Sequence, residues 1–244
     1  MTVLPGVSVV IPVRNEAGNI EPLVTEIEQA LTPLGPFEIL YVNDGSTDGT
    51  ARELARLSAT RPWLRDVHHA QSCGQSAAVR TGVRAARAGI IITLDGDGQN
   101  DPSFMPAFLA RLAEAGPRCG LVQGQRVGRK DTGFKRAQSR IANRVRAAVL
   151  KDGTRDTGCG FKCFPKEAYL SLPYFDALHR FMPALVRREG LEIAYVDVVD
   201  RPRMTGVSNY GFFDRLWVGI VDLLGVRWLL NRRKRVPIVK EMVR

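Results

Sequence analysis

The 244-residue chain has no run of 18 apolar residues, only four cysteines and only three histidines. Its nearest apolar stretch, from Phe212 to Leu230, is broken by Asp214, Arg215, Asp222 and Arg227, which makes a poor spanning helix. Met1 to Pro5 carries no basic flank and no apolar run before a cleavage site, so no secretory signal is expected. Cys73, Cys119, Cys159 and Cys163 are too few for a disulfide scaffold. None has a His or Cys partner at zinc-ligand spacing, so reduced thiols in a cytosolic setting are expected. Two phosphate-binding signatures are also missing. No Gly-x-Gly-x-x-Gly follows the first predicted strand and no Gly-Lys-Ser/Thr loop exists, which excludes the usual dinucleotide and phosphate-loop sites.

What is present is ordinary in bulk and uneven in place. At 45% hydrophobic and 25% charged residues, disordered and fibrous classes drop out, and the length fits one large α/β domain or two small ones. The net charge is +10. Residues 1–125 hold 10 basic and 13 acidic side chains, whereas residues 126–166 hold 12 basic and three acidic. A second basic segment, residues 227–244, has seven basic and one acidic. Such concentration points to anionic partners at defined places: nucleic acid, phosphorylated small molecules or an anionic membrane surface.

Hydrophobic patterning predicts alternating strands and helices. Val7–Val13, Phe37–Val42, Val67–His69, Ile90–Leu94 and Leu121–Gln123 read as strands, the first a β-branched run suited to a buried parallel position. Helices are predicted from about Asn19, over Gly49–Ala59, over Gly74–Ala88 and from about Pro102 to Ala115, with Ser46 and Thr47 available as N-caps. The later part predicts a helix at Lys135–Leu150, extended chain at Gly160–Phe164, a strand at Glu192–Val199 and a long helix from Tyr210 to about Asn231. The expected class is α/β, a doubly wound, mostly parallel sheet flanked by helices, closing with a C-terminal amphipathic helix.

Ligands in such sheets gather at the carboxyl ends of strands. Three polar clusters fall there: Pro12 to Glu16, Asn43 to Ser46, and Asp95 to Pro102. The third places Asp95 and Asp97 one residue apart among glycines, a pattern able to converge on Mg2+ or Mn2+ shared with a phosphate. A calcium loop does not fit, since the sixth position from Asp95 is Asn100 and the twelfth is Pro106. The bland alternative is an acidic turn capping the helix at Pro102.

The clusters VVIPVRNE, YVNDGSTDGT, GQSAAVRTG, TLDGDGQNDP, GQR, DTGCGFK and RPRMTGVSNYG, in that order, resemble the family 2 inverting glycosyltransferases. More narrowly they resemble the polyprenyl-phosphate glycosyltransferases, of which dolichol-phosphate mannosyltransferase is the best-known member. The match runs from about residue 7 to 225. It implies a GT-A fold and transfer of a sugar from a GDP- or UDP-sugar to a polyprenyl or dolichyl monophosphate. Carried over residue by residue, it implies that Pro12, Arg14, Glu16, Val42 and Asp44 hold the nucleotide. Asp95, Gly96 and Asp97 would meet the sugar-nucleotide, with Asp97, Gln99 and Asp95 as ligands of Mg2+ or Mn2+. Arg126 and Arg203 would contact phosphates, with Asn209 beside the donor, and Lys135, Arg136, Ser139 and Arg140 would take the acceptor phosphate. Asp97, Asp156 and Arg126 are the candidate catalytic residues, Asp156 as a base, an orienting group or a salt-bridge partner of nearby arginines. His68, His69 and His179 match no motif and are read as structural.

Asn43 stands where Asp is commoner, and Asn209 where mannosyltransferase relatives usually carry Lys, which leaves the sugar and the nucleotide open. Arg136, Arg140 and Arg144 share one face of the predicted helix and suit a lipid phosphate arriving from a membrane. Phe212, Phe213, Leu216, Trp217, Ile220, Leu224 and Trp228, followed by Arg232 to Arg235, resemble an interfacial element or a helix packed on the core. The expected organisation is therefore a catalytic domain over 1–209, with 1–125 for the donor and 126–209 for the acceptor, and a membrane-proximal segment over 210–244. Peripheral placement on the cytoplasmic face of a membrane is expected, with room for a membrane-protein partner or a homo-oligomer. A nucleic-acid partner lacks the aromatic-interleaved basic strand it needs. A sugar or glycan acceptor is the remaining enzymatic alternative.

Overall fold

A computed structural model of the protein describes residues 6–127, 146, 149–150, 153–154, 156–202 and 212–232, of which 212–218 as backbone path alone. Seven strands form one sheet: β1 (Val7–Val13), β2 (Phe37–Asp44), β3 (Leu64–His69), β4 (Ile90–Thr93), β5 (Cys119–Arg126), β6 (Lys162–Pro165) and β7 (Glu192–Val198). Their spatial order is β3-β2-β1-β4-β6-β5-β7. Among the described strands only β6 runs antiparallel, against β4 on one side and β5 on the other. Helices α1 (Ala17–Leu31), α2 (Thr50–Ser58), α3 (Gln75–Ala85) and α4 (Met105–Ala115) connect the first five strands. Helices α5 (Lys166–Leu170), α6 (Met182–Arg188) and α7 (Phe212–Asn231) complete the described elements.

Strand periodicity explains the two-sided core. Along β1, Val7, Val9, Ile11 and Val13 enter one apolar cluster with Ile20, Leu23, Ile27 and Phe108, which lie on α1 and α4. Val10 points the other way, into a cluster with Val79, Val83, Leu185 and Val226, which lie on α3, α6 and α7. The same alternation splits Ile39 and Tyr41 from Leu40, and Ile92 from Ile91. A strand buried on both faces is mostly apolar along its length, which is why VSVVIPV and FEILYV read as near-continuous runs, and their two polar residues, Ser8 and Glu38, are buried and bonded to each other.

Several boundaries differ from the sequence expectation, each for a local reason. Strand β2 continues through Asn43 and Asp44 because both still pair with β3, opposite His68 and His69. Helix α1 begins at Ala17, which puts Pro22 inside the helix, where it leaves the Gly18 carbonyl without its usual donor. Gly49 precedes α2 without a side-chain cap; Ser46 and Thr47 do not fill that role. Asp48 does the capping work instead, accepting from the Thr50 backbone N–H at 2.9 Å and from Thr50 Oγ1 at 2.5 Å. Of the predicted helix Lys135–Leu150, only Arg146, Val149 and Leu150 are described, and they are helical. Helices α5 and α6 were not expected; each is short, and α6 is buried along most of its length.

Helix α7 is apolar on both sides. Val226 is buried and Leu223, Leu229 and Leu230 pack on the second cluster, while Ile220, Val221, Leu224 and Trp228 face outward. Leu224 and Trp228 are 63% and 59% exposed. The Arg232 guanidinium lies 5.1 Å from the Trp228 ring centre. Among the described residues no helix is long and apolar enough to cross a membrane.

Candidate functional site

The chain steps from β1 to β2 and β3 on one side and returns to place β4 on the other. That reversal opens a crevice above the carboxyl ends of β1 and β4, the place where α/β sheets bind ligands. An open cleft of about 320 Å³ lies there, lined by Pro12, Val13, Arg14, Glu16, Asp44, Gln75, Ala78, Asp95, Gly96, Asp97 and Gln99. The three polar clusters expected from sequence therefore meet in one place.

Its first wall is two turns zipped together. Asn15 adopts a left-handed conformation (φ 59°), its N–H donating to Ser46 Oγ at 2.9 Å and its side-chain oxygen accepting from Thr47 N–H at 2.8 Å. The Glu16 N–H donates to Thr50 Oγ1 at 3.0 Å. Behind it, the Asp44 carboxylate accepts from His69 Nδ1, Ser72 Oγ, Cys73 N–H and Gly74 N–H at 2.7, 2.7, 2.8 and 2.9 Å. Burial alone would raise its pKa, but those four donors hold it below the usual carboxylate value. His69, read as structural, fixes Asp44 and also meets Thr81 Oγ1 at 2.9 Å.

The floor is the Asp95–Asn100 loop. Gly96 is required here: a Cβ would sit 2.3 Å from Val13 Cγ1 and 3.2 Å from the Pro12 carbonyl. Gly98 takes φ +75° and lets the loop turn back. The Gln99 N–H donates to Asp97 Oδ1 at 3.1 Å, and the Asp95 N–H donates to Asn100 Oδ1 at 3.0 Å. From the far side, the Arg201 N–H donates to the Gln99 carbonyl at 2.9 Å, so the chain after β7 braces the loop.

Asp95 is pressed from several directions. Gln75 Nε2 donates to its Oδ1 at 2.9 Å. The Gly160 backbone packs so closely that a Cβ there would lie 2.4–2.5 Å from the carboxylate atoms. Burial and then the charge of Asp97 push its pKa up to about 6, against the pull of Lys162 and Arg126. Lys162 itself is 2% exposed, donates to the Cys159 carbonyl, and has its pKa lowered by burial. A pair of mutually repelling carboxylates beside a glycine-built opening, with Gln99 next to them, is an all-oxygen donor set that fits a Mg2+- or Mn2+-sized cation.

At the end of β5, Arg126 holds Asp156 through two hydrogen bonds and reaches Asp200 at 3.3 Å. Burial would raise the Asp156 pKa, but the Arg126 hydrogen bonds and charge lower it. Of the three readings of Asp156, the salt bridge to Arg126 is the one seen here. Val42 is a correction. It is 0% exposed, with its side chain against α3 at Gly82, and is not among the residues that line the cleft. Lys135, Arg136, Ser139, Arg140, Arg203 and Asn209 lie outside the described residues. Gln75, Gly160, Lys162 and Asp200 were not assigned roles from sequence, although GQSAAVRTG and DTGCGFK contain the first three. His179 is half-buried and hydrogen-bonded to Ser76, with desolvation and then the Lys162 charge lowering its pKa to about 3, so it stays neutral.

Residues 8–172 match the glycosyl transferase family 2 profile. The chain is 32% identical over 234 residues to a dodecaprenyl-phosphate galacturonate synthase of Rhizobium johnstonii, covering 93% of this chain and 68% of that protein. Its fold is similar to that of glucosyl-3-phosphoglycerate synthase from Mycobacterium tuberculosis in complex with Mn2+, UDP and glucosyl-3-phosphoglycerate (TM-score 0.67, 20% identity, covering 93% and 80% of the two chains). A mannosyltransferase from Pyrobaculum calidifontis in complex with GDP-Man and Mn2+ is similar too (TM-score 0.64, 23% identity, covering 93% and 64%). The sheet and its flanking helices are thus the GT-A fold.

Proposed function

The chain belongs to glycosyl transferase family 2, and from that premise we propose that it transfers a sugar from a nucleotide diphosphate sugar to a polyprenyl monophosphate with inversion. The observation that carries this reading is the convergence of Pro12, Arg14, Glu16 and Asp44 with Asp95, Gly96, Asp97 and Gln99 around one cleft at the switch point of the sheet. The polyprenyl-phosphate relative, at 32% identity, supports the acceptor class.

In this reading the first wall takes the nucleoside, and Asp97 and Gln99, with Asp95, hold Mg2+ or Mn2+ at the diphosphate. A bound cation supplies neutralisation of the charge that builds on the departing diphosphate. An oxygen of the acceptor phosphate attacks the anomeric carbon from the face opposite the leaving group. The new carbon–oxygen bond forms as the bond to the diphosphate breaks, which inverts the centre. Because that acceptor is already an anion near neutral pH, its second pKa being about 6 by analogy with phosphorylated side chains, it needs positioning more than a strong base. That demand agrees with an Asp156 committed to Arg126. We assign Arg126 and Arg203 to the phosphates, and Lys135, Arg136, Ser139 and Arg140 to the acceptor.

We further read residues 1–209 as the catalytic domain and 210–244 as a membrane-proximal segment. The outward Ile220, Val221, Leu224 and Trp228, next to Arg227 and Arg232, support peripheral contact with an anionic bilayer. The deciding experiment incubates the purified chain with Mg2+ or Mn2+, a short polyprenyl phosphate, and a panel of UDP- and GDP-sugars that includes uronic acids, mannose and glucose. A sugar–phosphate-linked lipid from one donor is expected. Turnover only with a free sugar or glycan would transfer the reading to that acceptor class, and no turnover with any donor would end it.

A further inference from the structure

Away from the Asp95–Gln99 loop, one cluster joins three side chains of different ligand chemistry. Asp44 ends β2, His69 ends β3 opposite it, and Cys73 lies on the turn into α3. A carboxylate oxygen, a ring nitrogen and the thiol sulfur there all lie within 4.8 Å of one another. We propose that Asp44, His69 and Cys73 form a second cation site, selective for Zn2+, whose occupation closes the donor cleft. The closing half rests on the nucleotide-sugar reading; the cation site does not.

Ligand type separates the two sites. Mg2+ and Mn2+ prefer oxygen donors such as Asp97 and Gln99, whereas Zn2+ takes nitrogen and thiolate sulfur as readily as carboxylate. Two of the three ligands are anchored on paired strands, opposite one another in register. His69 has the outer partner that metal-bound imidazoles require, since its Nε2 lies 2.9 Å from Thr81 Oγ1. Cys73 is exposed, which gives the ion an entry path.

The proton balance is simple. The proton on His69 Nδ1, now hydrogen-bonded to Asp44, moves to Nε2, which keeps it and donates a hydrogen bond to Thr81 Oγ1. The Cys73 thiol loses one proton to solvent, and water fills the fourth tetrahedral position. Asp44 Oδ1 and His69 Nδ1, 2.7 Å apart, must separate to about 3.3 Å, the spacing set by zinc bonds of 2.0–2.1 Å. Asp44 would then give up part of its hold on Ser72, Cys73 and Gly74. Because Asp44 also lines the cleft, the wall facing the nucleotide changes with it.

The test titrates Zn2+ against a chromophoric chelator in excess Mg2+, comparing the wild-type chain with Cys73→Ser, His69→Gln and Asp97→Ala. Wild type and Asp97→Ala are expected to take up a single ion, with affinity lower by at least about tenfold in Cys73→Ser and His69→Gln. Co2+ in place of Zn2+ should give a thiolate charge-transfer band that Cys73→Ser lacks. Equal zinc affinity in wild type and Cys73→Ser, or zinc uptake that follows Asp97, overturns the site. Calorimetry with UDP and GDP then tests closure: zinc should weaken nucleotide binding to wild type and leave Cys73→Ser unaffected. Unchanged nucleotide affinity in the zinc-loaded wild type overturns closure. A chain that binds zinc but no nucleotide, with or without zinc, refutes the donor reading and leaves the cation site standing.

Discussion

Arg126 grips both oxygens of Asp156, with Nε 2.5 Å from Oδ2 and Nη2 2.9 Å from Oδ1. Both side chains are largely shielded, and Asp200 completes the arrangement from the other side of the guanidinium. Asp156 therefore stays ionised throughout the neutral range, and the acid limb of a pH–rate profile does not belong to it. Asp156→Asn is expected to lower the rate at every pH without moving that limb, and to cost about 1.5–3 kcal/mol of stability in urea unfolding. A limb that vanishes in the variant would restore Asp156 as a base.

On the proposed reading Asp97 lies where a cation and a diphosphate would meet, and its contact with the Gln99 N–H is local to the loop. Asp97→Ala should keep the folded state while losing at least about tenfold in Mn2+-dependent UDP or GDP affinity. Calorimetry with and without a chelator measures this. Affinity equal to wild type would remove Asp97 from the metal set.

Gly160 has no room for a methyl group, because a Cβ would lie 2.4–2.5 Å from the Asp95 carboxylate atoms. Gly89 has nothing within 4 Å of the same construction. Gly160→Ala should therefore displace Asp95, reduce turnover sharply and cost about 1–3 kcal/mol, whereas Gly89→Ala leaves turnover unchanged. Steady-state rates and thermal unfolding of the pair distinguish a local clash from a general effect of alanine.

Glu38 is buried beneath the sheet end and accepts from Ser8 Oγ at 2.6 Å, Arg65 Nη1 at 2.7 Å and the Arg87 N–H at 2.6 Å. Burial pushes its pKa up, but Ser8, Arg87 and Arg65 together bring it below the ordinary 4.5. A depressed folded pKa means stability that is fully present above 4.5 and lost as pH falls through the folded value. Wild type should lose stability on acidification below that point more steeply than Glu38→Gln, as urea midpoints at a series of pH values will record.

Much of this fold was legible because buried parallel strands announce themselves. Val7–Val13 is recovered to the residue, and the place of the cleft followed from strand ends alone. Boundaries set by pairing were not legible: Asn43 and Asp44 look like turn residues and become strand only through His68 and His69. The burial of Val42, two positions before Asp44 on the same strand, was not legible either, because it depends on α3 packing at Gly82. His69 and Cys73 stand four residues apart and could have been paired from sequence, whereas Asp44 joins them only through the pairing of β2 with β3. Arg126, Asp156 and Asp200 likewise meet from three distant segments, and nothing in their local sequence marks which carboxylate the arginine selects.

The antiparallel run of β6 has a bearing on how such a catalyst diversifies. Strand β5 ends at Arg126 and β6 begins at Lys162, both at the rim where β4 delivers Asp95. The end of β5 and the start of β6 therefore lie at the same edge of the sheet. Changes of length or composition between those two points need not propagate into the sheet register. On the proposed reading, sequence between those two points can thus drift toward new acceptors, while the strands that deliver Asp44 and Asp95 keep their pairing.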